Sequence, residues 1–142
     1  MRKDVEMLND ICKNTEMGCE GIQCVLRYVE SDGLKEALKA QHAEYERIYD
    51  DASGMLREWG ERPEGIGTAA KIASEMSGMM GMMSGDPDSK IAEMMMEGST
   101  KGIIKITRQL KEYGGDDQRI HKMASRLLDT ERTNLEQMKN YL

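Results

Sequence analysis

The chain has 142 residues, 39% hydrophobic and 32% charged, with a formal net charge of -6 and a pI near 5.0. That length fits one domain, residues 1–142, large enough to bury a core, and the composition argues against disorder. The acidic balance argues against nucleic acid or an anionic membrane as partner, and no apolar run reaches bilayer length.

Two prolines and no phenylalanine speak against sheet and for helix. Met1 to Asp10 is charged and amphipathic, unlike a signal peptide. Cys12, Cys19 and Cys24 are odd in number and contain no C-x-x-C pair, so neither a disulfide framework nor a zinc knuckle is expected. A reducing, cytoplasmic setting follows.

The first predicted helix carries Val5, Leu8, Cys12, Thr15, Cys19, Ile22, Leu26 and Val29 at alternating 3- and 4-residue spacing, ending at Ser31-Asp32-Gly33. The second carries Leu34, Leu38, Gln41, Tyr45, Ile48, Ala52, Met55 and Trp59, ending at Gly60 and Pro63. The third, about 66–84, is short and glycine-rich. The fourth opens at Asp86-Pro87-Asp88-Ser89, a cap with an N1 proline and an acidic first turn. Its stripe is Ala92, Met96, Ser99, Ile103, Ile106, Leu110 and Tyr113, closed by Gly114-Gly115. The fifth runs from Asp116 or Asp117 almost to Leu142.

Four long helices with a short one between the two pairs predict an all-α, ferritin-like four-helix bundle, the third helix forming part of the crossover between hairpins. A five-helix bundle of equal members is the other arrangement, disfavoured by the short third helix.

The fifth helix has a polar interruption. Its stripe reads Ile120, Ala124, Leu127, then Glu131 and Asn134, then Met138 and Tyr141, which puts a carboxylate and an amide on the buried face. Pairing the helices by index predicts a central layer of Cys19, Tyr45, Ser99 and Glu131, with Thr15, Gln41 and Asn134 one turn away. A buried Glu must be paired or protonated.

Two readings follow. One is a satisfied polar layer that fixes helix register. The other is a metal site, because di-iron bundles carry Glu-x-x-His at this position. Here Asn134 stands where His would, and Lys39 stands three residues before His42 where Glu would. The candidate ligands are Glu131, His42, Glu20 and Glu97, with Glu16, Glu44, Glu46 and Glu93 also beside the stripes. The metal reading would make the chain an iron or copper oxidoreductase or storage protein.

Methionine is the compositional outlier, at 14 residues. In the third helix Ser74, Gly78, Gly81 and Gly85 share one face, and Met76, Met80 and Met83 another. Each mid-helix glycine costs roughly 0.5–1 kcal/mol relative to alanine, so this helix depends on packing. Its methionines, with Met94, Met95 and Met96, admit three uses: core filler, an adaptable interface for a protein partner or a second copy, or thioether ligation of Cu(I) with help from Cys12 and Cys19. No phosphate loop or nucleophile with its base is present.

The segments Leu8-Asn9-Asp10-Ile11, Gly65-Ile66-Gly67, Ile91-Ala92-Glu93-Met94, Gly98-Ser99-Thr100 and Gly102-Ile103-Ile104, together with Glu131, resemble a small, uncharacterised bacterial family of ferritin-like helical bundles. The resemblance implies that fold and a cytoplasmic location, with no activity to carry over. The departures at Glu131–Asn134 and Lys39–His42 set the chain apart from ferroxidase chemistry. The expected function is a non-enzymatic bundle with a degenerate di-iron site and no resident cofactor, acting through the third helix.

Overall fold

A computed structural model describes residues 2–82 and 84–142. Among them α1 spans Arg2–Val25 and continues into a 3-10 turn, Leu26–Tyr28. Then come α2 (Asp32–Glu58), α3 (Ala69–Gly81), α4 (Pro87–Tyr113) and α5 (Gln118–Met138), with a last 3-10 turn at Lys139–Tyr141. The described residues form no strand. The chain is all-helical, as its composition predicts, and no described helix is long and apolar enough to cross a membrane.

The caps explain most boundaries. Asp86 accepts the backbone N–H of Asp88 at 3.0 Å, with Pro87 in the first turn, and Gly114 closes α4 in the left-handed region at φ 64°. Asp117 caps α5 by accepting the N–H of Arg119 at 2.9 Å.

The Ser31-Asp32-Gly33 prediction needs correction. Gly33 is no C-cap: it lies in the first turn of α2, and Ser31 is the N-cap, accepting the N–H of Leu34 at 3.2 Å. The glycine makes room, because a Cβ there would stand 3.2 Å from the Tyr141 hydroxyl. Helix α3 is also shorter than predicted. The entry through Gly67, at φ 65°, stays irregular, and Met83 lies outside the described residues.

Four contacts fix the helix directions. The Asp88 carboxylate accepts the N–H groups of Glu30 (2.8 Å) and Ser31 (2.9 Å), so α4 begins where α1 ends. The Tyr113 hydroxyl donates to Asp4, so α4 ends where α1 begins. Arg119 meets Glu58 at 3.3 Å, and Gln41 donates to Gln137 at 2.9 Å, so α5 runs antiparallel to α2. Helices α2 and α4 therefore start at the same end, and the segment between them must travel the length of the molecule. The N–H of Glu64 is held by Asn9 at 2.9 Å near the start of α1, and α3 climbs back along α1.

The bundle interior is aliphatic. Leu8, Ile11, Leu34, Leu38, Ile48, Leu56, Ile91, Ile106, Ile120 and Leu127 are all wholly buried, each stabilising the fold by about 1.5–3 kcal/mol. Among these side chains lie seven buried polar ones: Asn9, Thr15, Gln41, Ser53, Ser99, Glu131 and Asn134. Three of the seven converge on one tyrosine.

Candidate functional site

Glu131 is 3% exposed and Tyr45 4%. The Tyr45 hydroxyl donates to Glu131 Oε1, Asn134 Nδ2 donates to the Tyr45 hydroxyl at 3.1 Å, and Ser99 bonds to the same hydroxyl. Burial pushes the Glu131 carboxyl up to about 7, against the opposing pull of the Tyr45 hydrogen bond. Burial, and the neighbouring carboxylate after it, push the Tyr45 hydroxyl up as well. No ion pair joins Glu131 to a cation among the described residues. A buried acid near half-ionisation at neutral pH, without a counter-ion, is an unusual thing for a fold to keep.

Two glycines make this arrangement possible. A Cβ on Gly18 would stand 2.7 Å from Tyr45 Cε2, and one on Gly102 would overlap Glu131 Oε2. Asn14 braces the second approach by donating to the Gly102 carbonyl at 3.2 Å. Of the predicted central layer, Tyr45, Ser99 and Glu131 come together, joined by Asn134. Cys19 does not join them: its thiol points to the His42 carbonyl at 3.8 Å, and Gly18 faces the tyrosine instead. Thr15 folds back onto the carbonyls of Ile11 and Cys12, each at 3.0 Å. Gln41 turns to Gln137. Pairing the helices by index sets Tyr45 level with both Gly18 and Cys19 and takes the cysteine into the layer; it gives no role to Gly18 or to Gly102. The available signal was a mid-helix glycine, with its intrinsic cost, at the height of a large buried polar side chain.

The carboxylate is not sealed in. A cavity of about 390 Å³ lies between α1, α3 and α4. Its apolar wall is Ile22, Ile72 and Met17, Met76, Met79, Met94 and Met95, with Gly18, Gly21, Gly98 and Gly102 admitting the space. Asn14, Gln41, Tyr45, Ser99 and Glu131 form its polar part, and Asp10, Lys13, Glu97, Lys101 and Lys105 also line it. A larger groove of about 780 Å³ runs between α2 and α5. Its arginine, Arg126, is already held by Glu44 at 2.7 Å and Asp51 at 2.8 Å.

The remaining candidate ligands are dispersed. His42 Nδ1 lies 3.1 Å from Glu46 and its Nε2 3.1 Å from Gln23. Glu20 accepts from the Cys24 thiol at 3.7 Å. Glu97 is exposed and shares only the cavity with Glu131. Among the described residues no group of three or more His, Cys, Asp or Glu side chains could hold a metal ion. The donor set for iron therefore does not fit here.

Nor do the cysteines join the methionines. Neither Cys12 nor Cys19 lines the cavity, and burial pushes both thiols up to about 12, away from the thiolate a metal needs. The core-filler use holds in α3 for Met80 alone among the described residues: Met76 is half-buried, and Met79 and Met82 are 42% and 89% exposed.

Compared with family models, curated proteins and solved structures, the chain matches none.

Proposed function

We propose that this chain is a ferritin-like bundle whose metal position has become a polar anchor, and that it works without catalysis as a binding protein for a small, largely apolar molecule. The observation that carries this reading is the methionine-lined cavity opening onto the buried Glu131 carboxyl. Its volume lies in the range that small-molecule sites occupy, and a mostly apolar wall with a few converging polar groups is their usual build. The up-down-down-up helix directions and the full-length crossover support the ferritin-like assignment. Three free thiols fit a cytoplasmic location.

Nile red, a neutral dye that brightens in apolar surroundings, tests the reading. Gly98 lines the cavity and a Cβ there would meet nothing within 4 Å, so Gly98→Leu sets a larger apolar side chain at the cavity. The wild type is expected to bind one dye per chain and the variant to lose it while keeping its helical signal. Equal dye binding by both would overturn the cavity reading.

A second reading has its own support. Met17, Met79 and Met82 are exposed on α1 and around α3, a surface suited to a protein partner or a second copy of the chain. Light scattering over a concentration series, repeated on Met82→Asp, decides it: a mass that stays monomeric throughout removes self-association.

A further inference from the structure

The polar part of the cavity is one-sided in its chemistry. Among its carboxyl and amine groups Glu131 alone is almost wholly buried. One oxygen receives the Tyr45 proton donor, and the other lies against the Gly102 Cα with no side chain between. The neighbours Asn14, Gln41, Ser99 and Tyr45 are neutral. Gln109 also lines the cavity, and its buried Oε1 has no hydrogen-bond partner among the described residues. The second Glu131 oxygen has no protein donor among the described residues either, and a buried acceptor without a donor is costly. The missing partner is a donor, and a positively charged one suits Glu131 best.

The other charges around the cavity do not supply that cation. From α1 come Asp10 and Lys13, and Lys13 is paired with Glu64 at 3.6 Å. From α4 come Glu97, Lys101 and Lys105; α2 offers Gln41 and Tyr45, and α3 presents Ile72, Met76 and Met79, with no charge. The causes acting on the Glu131 carboxyl are burial and Tyr45, with none of these lysines among them. Beyond the carboxylate the wall turns to thioethers and Ile22, which fit an apolar body.

We infer that the cavity binds a primary amine with an apolar body, its ammonium seated against the second Glu131 oxygen and the Ser99 hydroxyl and its body among the methionines. The inference rests on the binding-cavity reading and names the ligand class. The balance is simple. An incoming ammonium keeps its own proton and favours the ionised carboxylate, so any proton on Glu131 leaves to solvent. Binding near or below neutral pH therefore releases a proton and tightens as pH rises, and well above neutrality it releases none.

The experiment uses 4-phenylbutylamine, with 4-phenylbutan-1-ol and 4-phenylbutyrate as neutral and anionic counterparts, in calorimetric titrations of the full chain. The amine is expected to bind about tenfold or more tighter than the alcohol, the worth of one charge-assisted hydrogen bond. It should release about one proton per molecule at pH 6 and almost none at pH 9. Glu131→Gln should bring the amine down to the level of the alcohol. An alcohol as tight as the amine, a tighter carboxylate, or an amine advantage that survives Glu131→Gln would overturn the amine assignment and leave the cavity standing. Failure of all three compounds to displace Nile red from the wild type overturns the assignment as well, while dye that Gly98→Leu does not exclude removes the cavity reading beneath it.

Discussion

Helices α2 and α3 were built to different specifications. Helix α2 buries ten side chains between Leu34 and Leu56, while α3 buries Met80 alone among its described residues. The first has an apolar stripe unbroken except where Gln41 and Tyr45 enter the polar network. The second carries glycine and methionine where a core helix would carry leucine, and it leans on α1. A helix with that little burial contributes little to the fold, and its sequence is better explained by what it covers. The packing of α1 on α2 and of α4 on α5 supplies stability; the side under α3 supplies space.

The sharpest way to break that contrast is truncation. Leu56→Ala, in a wholly buried position, should cost about 2–5 kcal/mol. Met76→Ala, half-buried at the cavity, should cost less than about 1 kcal/mol because no packed interior collapses around it. Urea unfolding curves for the two variants measure both. Equal losses would make α3 a member of the core.

Next in size is the buried acid. The folded carboxyl of Glu131 lies at about 7 against an ordinary 4.5. Between those values the unfolded chain gives up its proton while the folded one keeps it, so this group's contribution is complete below pH 4.5 and lost as pH rises to 7. The shift corresponds to about 3 kcal/mol. Glu131→Gln has no such titration. Its stability relative to wild type should therefore improve by about that amount between pH 4.5 and 7, then level off. A stability difference that does not change with pH would mean the carboxyl titrates normally.

The smallest effect is in α3 itself. A Cβ on Gly78 would meet nothing within 4 Å, so Gly78→Ala should stabilise that helix by about 0.5–1 kcal/mol. Amide exchange should slow in α3 and stay unchanged in α2. Slowing in both would show that the two helices open together.

The sequence made the bundle legible because its four long helices have regular apolar spacing and three have recognisable caps. Glu131 was legible for the same reason: a carboxylate in an intact stripe cannot avoid the interior. What escaped was the role of two distant glycines, although index pairing sets Gly18 level with Tyr45. Gly18 and Gly102 act by what they omit, and the absence of a Cβ has meaning only once Tyr45 or Glu131 is seen opposite. The misreading of Cys19 follows from the same gap, since index arithmetic fixes height along the bundle but not rotation by one residue. Gly33 reads as a helix stop in the sequence because the Tyr141 side chain that requires it comes from the far end of the chain.

Asp88 grips the turn at Glu30 and Ser31 from the far side of the crossover, while Tyr45 and Glu131 bind across the middle. The two hairpins are thus stitched together at separate heights, independently of the peptide that links them. A cut in the exposed stretch around Gly65 would leave each hairpin its own antiparallel partner. The severed molecule would then be a complementing pair of fragments, able to part and re-form, with the cavity assembled only when both halves meet.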